Sequence, residues 1–104
     1  MIIILANVQV APNRMQEALA LSRQHVARSR NEPGCLSHSV YEDKERENHL
    51  VFVQEWESEE ALQRHFAVPE SGAFVNALGA MAAVRPRIRL YRATELPFPG
   101  KSAA

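Results

Sequence analysis

The sequence is poor in cysteine, in lysine and in net charge. Its one cysteine, Cys35, has no partner within the chain, so no intrachain disulfide staples the fold, and a lone thiol suits a reducing compartment. Twelve basic side chains, ten of them arginine, cancel twelve acidic ones, which argues against a surface that binds nucleic acid through its phosphates. The apolar opening Met1-Ile2-Ile3-Ile4-Leu5-Ala6 lacks the basic leader and the length of a secretory signal. No stretch approaches the roughly 20 apolar residues of a membrane span. The expectation is a soluble cytoplasmic protein with neither nucleic acid nor membrane as partner. With 104 residues there is room for a single core, burying about two-thirds of the surface that the unfolded chain exposes. A partner subunit is one source of further stability.

What is present is a regular alternation of element signals. Residues 1–10 form a β-branched run in which Ile3, Leu5, Asn7 and Gln9 share one side and Ile2, Ile4, Ala6, Val8 and Val10 the other. Pro12 ends it. Between residues 13 and 31, Met15, Ala18, Leu19, Ser22 and Val26 recur at helical spacing, with Asn13 as the expected N-cap and Glu32-Pro33-Gly34 as the stop. Residues 35–42 read as a second strand with Leu36, His38 and Val40 on one face, and the charged stretch 43–48 as a hairpin connection. Residues 49–56 read as a third strand with Leu50, Phe52, Gln54 and Trp56 together. Ser58 followed by Glu59 and Glu60 starts a helix running to about Phe66, and Pro69 opens a further helical piece with Phe74, Leu78 and Met81 on one stripe. Residues 87–93 supply a fourth strand.

The order β-α-β-β-α-β is the ferredoxin-like split βαβ, an α+β fold with a four-stranded antiparallel sheet and its helices on one face. The domain is expected over residues 1–93, with an arm over 94–104 whose last residues are mobile. On the sheet face away from the helices, Val8, Val10, Val51 and Val53 are too apolar to be left against water, so a second sheet is expected to cover them.

The segments Glu32-Pro33-Gly34-Cys35, then Phe52-Val53-Gln54-Glu55-Trp56-Glu57-Ser58, then Ala61-Leu62 and His65, resemble the antibiotic biosynthesis monooxygenase (ABM) domain family. The resemblance covers roughly residues 1–93. It implies a homodimer whose two sheets close face to face into a dimeric α/β barrel, with a substrate pocket inside each subunit between sheet and helices. It implies an activity drawn from a mixed group: cofactor-independent oxidation of phenols to quinones, quinol oxidation, haem degradation, or isomerisation of a small phosphorylated signal sugar. Fold alone does not choose among them. Haem-degrading relatives use a helix-two Trp and an axial His where this chain has His65 and Val75, which disfavours that branch.

The candidate catalytic residues are His65, Asn7 and Trp56. His65 matches a position commonly His in the family, and an imidazole titrating near neutrality can take a phenolic proton; the alternative is a satisfied helix histidine at the pocket rim. Asn7 is an amide in an apolar strand that must find partners, either as a pocket group orienting a phenolic oxygen or within the backbone. Trp56 either stacks on a flat ligand and donates its N–H or packs over helix two. His25, His38, Phe52, Leu62, Phe66 and Phe74 are the expected substrate-binding residues, although His38 also suits the dimer interface. His49, beside the charged turn, is expected to be exposed. No two histidines have metal-ligand spacing on one element, so neither metal nor other cofactor is expected. Cys35 reads as a small buried side chain, and Arg87 and Arg89 as ion-paired strand residues or holders of an anion. Together these point to a cofactor-independent monooxygenase acting with dioxygen on a small quinol or polyphenol. The alternatives are a proton-transfer isomerase using His25 and His65, or a non-enzymatic dimer that binds a small aromatic metabolite.

Overall fold

A computed structural model describes residues 1–99, so the expectation for the end of the arm lies outside the described residues. Four strands, β1 (Ile2–Gln9), β2 (Cys35–Glu42), β3 (His49–Trp56) and β4 (Arg87–Arg92), form one antiparallel sheet in the order β2-β3-β1-β4. Three helices, α1 (Met15–Ser29), α2 (Glu59–Ala67) and α3 (Pro69–Met81), complete the ferredoxin-like fold. None of them is long and apolar enough to cross a membrane. Residues 93–98 have no regular structure, and Leu96 and Phe98 on this stretch are exposed.

The register of β1 against β3 decides what the helices cover. Ile4 pairs with Gln54 and Ala6 with Phe52, and directly opposed residues share a face. Ile2, Ile4, Ala6, Val8 and Val10 are all buried beneath the helices, with Leu50, Phe52 and Trp56. The open face instead carries Ile3, Leu5, Asn7 and Gln9 beside Val51 and Val53. The expected apolar open face is therefore present, but Val8 and Val10 are core residues and do not belong to it.

Local chemistry sets the element ends. Pro12–Arg14 forms a 3-10 turn, so Asn13 sits inside that turn and α1 starts at Met15, with Arg14 at the N-cap position and no side-chain cap, against expectation. Ser58 caps α2 as its sequence suggests, accepting from the Ala61 backbone N–H at 3.1 Å. Val68 is extended ahead of Pro69 and separates α2 from α3. Between α1 and β2, Gly34 has φ +85°, and a Cβ there would collide with Ala61 Cβ of α2. Only glycine meets both demands, and the turn it makes seats Glu32 beside α2. A bulge between Cys35 and Ser37 then shifts the phase of β2. Leu36 is consequently exposed and does not share the inner face with His38 and Val40.

Candidate active site

Between the sheet and the helices lies a cavity of about 320 Å³. Ile4, Ala6 and Val8 of β1 and Phe52 of β3 form one wall, with Phe74 and Leu78 of α3 opposite. Into this apolar lining three elements each bring one imidazole: His25 from α1, His38 from β2 and His65 from α2, with exposures of 6%, 1% and 3%. Their ring centroids lie 5.4 Å (His25 to His38), 5.4 Å (His25 to His65) and 6.2 Å (His38 to His65) apart.

The group on each Nδ1 assigns the tautomer. His65 Nδ1 lies 2.7 Å from Glu32 Oε1. A carboxylate only accepts, so Nδ1 carries the proton and Nε2 is the free basic nitrogen. His25 Nδ1 lies 2.8 Å from Arg28 Nη2. A guanidinium only donates, so His25 Nδ1 accepts and its Nε2 carries N–H. Ser29 donates its hydroxyl proton to the Val26 carbonyl at 3.1 Å and therefore accepts from His38 Nδ1. This leaves His38 Nε2 as an acceptor; among the described residues it has no partner, and it is buried away from any water-sized space.

Arg28 ties the cluster together: besides His25 it donates to Glu32 Oε2 at 2.7 Å and to Ser71 Oγ at 3.1 Å. Burial, with like-charge effects from His65 and Arg28, pushes His25 down to about 3. Burial, with His25, His65, Arg30 and Arg28 around it, does the same to His38, also to about 3. Both rings are neutral at physiological pH. Chemically the wall offers one fixed donor at His25, and at His65 a base whose positive charge on protonation the Glu32 carboxylate would balance.

Of the residues expected in the site, His65, His25, His38, Phe52, Phe66 and Phe74 all line the cavity, and the His25 ring stacks on Phe74 at 3.9 Å between centroids. Three are placed elsewhere. Asn7 lies on the open sheet face, its Oδ1 3.1 Å from His49 Nε2, because the strand register turns it away from the helices. Trp56 is fully buried behind His65, ring centroids 4.6 Å apart, and its N–H is taken up by Gln54 Oε1 at 2.9 Å. Leu62 packs with Trp56, Ile2 and Ile4 and does not itself line the cavity. His49, expected to be exposed, is 5% exposed. Cys35 is half-buried, and burial raises its thiol. The sequence pattern does not mark Glu32, Arg28, Ser29 or Ser71 as site residues. The spacing of Arg28 and Glu32, four residues apart at a helix end, was the available signal.

The same partners bear on metal binding. A histidine ligates through an unprotonated nitrogen, and on His25 that nitrogen already receives Arg28. Of the other two, His38 keeps its second nitrogen buried, and His65 is left with its Nε2 unprotonated. Among the described residues no group of three His, Cys, Asp or Glu side chains is arranged to hold a metal ion.

Comparison with known proteins places this geometry. The chain is 35% identical over 94 residues to the uncharacterised protein sll1783 of Synechocystis, matching 90% of this chain and 64% of that one. It thus spans less than two-thirds of that relative. It is 29% identical over 75 residues to YcnE of Bacillus subtilis, a provisionally assigned monooxygenase, matching 72% of this chain and 79% of that one. Among solved structures, a provisionally assigned antibiotic biosynthesis monooxygenase from Caulobacter crescentus superposes with a TM-score of 0.85 at 27% identity, covering 90% of each chain. The profile of the antibiotic biosynthesis monooxygenase family matches residues 1–77, and the chain belongs to that family.

Proposed function

We propose that the protein is a monooxygenase that oxidises a small quinol or polyphenol with dioxygen and without a metal or flavin. The observation that carries this reading is the Glu32-supported imidazole of His65 at the wall of an apolar cavity. His65 Nε2 takes the proton of a ring hydroxyl, and the His25 Nε2–H stabilises the resulting oxyanion. The electron-rich ring then reacts with dioxygen at a ring carbon. A C–O bond forms there, the O–O bond breaks, and the distal oxygen leaves as water with the hydrogen of that carbon and the proton held by His65. The ring becomes a quinone carrying one dioxygen atom, so atoms and electrons balance. Phe52 and Phe74 supply the flat apolar walls that an aromatic ring needs.

The isomerase alternative fits less well. His25 is held neutral with its Nδ1 engaged, so it is poorly suited to act as a base, and among the described residues no lysine or arginine lines the cavity to meet a phosphate. Oxygen uptake with a panel of quinols and anthrones tests the proposal, comparing wild type with His65→Gln and Glu32→Gln. A fall of about 10²-fold or more in His65→Gln is expected from loss of a general base. Uptake unchanged in both variants refutes the site assignment. The proposed assembly is a homodimer through the half-buried apolar face formed by Ile3, Leu5, Val51 and Val53. Sedimentation at micromolar concentration giving a single 11.7 kDa species would exclude it.

A further inference from the structure

The sheet wall of the cavity, Ile4, Ala6, Val8 and Phe52, is buried, but the rim is not. Ile88 of the edge strand β4 pairs with Ala6 of the buried face, yet it is 55% exposed because the helices leave this strand uncovered. Phe66 and Val75 stand on the helical side of the same opening, 54% and 56% exposed. A cluster of exposed apolar side chains at one opening marks a surface that another apolar body covers. Gln54, Ser71 and Asn76 add polar groups beside the imidazoles, and among the described residues no lysine, arginine, aspartate or glutamate lines the cavity. The lining therefore suits an uncharged ligand. His65, 3% exposed, supplies the anchoring group: its Nε2 has no partner among the described residues and, unlike that of His38, is not sealed from water-sized space.

Helix α3 meets this opening with glycine. Gly72 and Gly79 both line the cavity, with Val75 and Asn76 between them. Seven residues make two helical turns, so the pair lies on one face about 10 Å apart. Glycine is the least favourable residue in a helix interior after proline, and the fold does not require it at either place. Neither residue has a positive φ, and a Cβ on either would meet no atom within 4 Å. Gly34 is the opposite case, fixed both by its backbone angle and by the approach of Ala61. What the two α3 glycines preserve is open space beside the helix backbone, and that space is the mouth of the cavity. At about 320 Å³ the cavity is at the small end of ligand sites. It holds a ring system, and anything larger must leave through the mouth.

We infer that the ligand is an uncharged aromatic hydroxyl compound carrying an apolar substituent that passes out over α3, and that Gly72 and Gly79 are the residues that select for it. The inference rests on the reading of this cavity as a quinol site, and anaerobic binding separates the two. Titration calorimetry without oxygen compares 1,4-dihydroxynaphthalene with its 2-hexyl derivative. Each buried methylene is worth about a fourfold gain in affinity, so two or three of them within the rim give on the order of 15- to 60-fold tighter binding of the derivative. In the double variant Gly72→Leu, Gly79→Leu that ratio should fall below about threefold. Leucine strengthens the helix it enters, so the loss reads the mouth and not the fold. Ala80→Leu adds the same bulk to α3 at an exposed position off the cavity and should keep the wild-type ratio. Gly72→Ala with Gly79→Ala should raise the denaturant midpoint. Equal binding of both compounds by wild type, binding of neither, a ratio that survives the leucines, or alanine variants less stable than wild type overturns the inference. So does a changed sedimentation coefficient in the leucine variant, which would mean that a second copy covers the rim. Preference for the derivative with no oxygen uptake in air would leave the ligand class standing and remove the monooxygenase; uptake with both compounds bound alike would do the converse.

Discussion

Acidification should destabilise this protein well above the carboxylate range, and the site histidines are the cause. His25 and His38 titrate at about 3 in the folded chain, against 6.5 for the unperturbed side chain. Between those values the unfolded state binds protons that the native state refuses, so unfolding takes up protons and stability falls as pH falls. Above pH 6.5 the contribution is fully present. From pH 7 to pH 5 each histidine removes about 2 kcal/mol, and the two together about 4 kcal/mol, a large share of the 5–15 kcal/mol typical of a small protein. Glu17 and Glu59 are drawn below the usual carboxylate range by hydrogen bonds from Arg14 and Arg92, so their titration lies outside this window. Guanidinium unfolding at pH 7, 6 and 5 and one fixed protein concentration would read the loss as a shifting midpoint. His38→Gln should remove roughly half of the slope while keeping a polar side chain near Ser29. Equal stability at pH 7 and pH 5, or an unchanged slope in that variant, would refute the burial argument.

Other outcomes follow from the same geometry. Glu32→Gln should lower turnover by about 10–100-fold, measured as kcat of oxygen uptake, because an amide cannot balance the charge that His65 acquires. Asn7→Ala should leave that kcat within a factor of two, since Asn7 sits on the far side of the sheet; a large loss would mean the open face takes part in the chemistry. Gly34→Ala should cost about 1–3 kcal/mol in denaturant unfolding, from the left-handed backbone and the collision with Ala61. Trp56→Phe should lower stability by about 1–2 kcal/mol, through lost packing and the lost bond to Gln54, while leaving ligand affinity nearly unchanged.

The fold was legible because its elements are separated by strong local signals. Pro12, the Glu32-Pro33-Gly34 stop, Ser58 and Pro69 each fall at or beside an element boundary, and the strand over residues 35–42 and that over 49–56 match the structure at both ends. The phase of β1 was not legible. Ile2 and Ile4 on one side and Ile3 and Leu5 on the other are equally apolar, and only the pairing with β3 reveals which side the helices cover. Asn7 was misplaced for that reason. Leu36 was misplaced because a bulge reverses alternation without leaving a mark in composition. His65 was found through its family position, whereas the carboxylate that gives it a role lies 33 residues away on a helix-ending turn. The N–H of Trp56 had a partner only two residues distant on the same strand face, so its structural use could have been read from the strand alternation.

Three chemically identical side chains, drawn together in one apolar cavity, are given different functions by what stands behind them. Three imidazolium ions with centroids about 5–6 Å apart in a weakly screened interior would repel strongly, so full protonation of the cluster is excluded. Burial and Arg28 settle the matter for His25, and burial with its neighbours for His38. Glu32 stands within hydrogen-bond reach of His65 and of neither of the others. A proton entering the cavity from a ligand therefore finds compensation at one nitrogen only. The other two rings stay neutral and keep their Nδ1 atoms on Arg28 and Ser29, so the groups that keep them from becoming bases leave His65 as the imidazole of the cluster placed to take a ligand's proton.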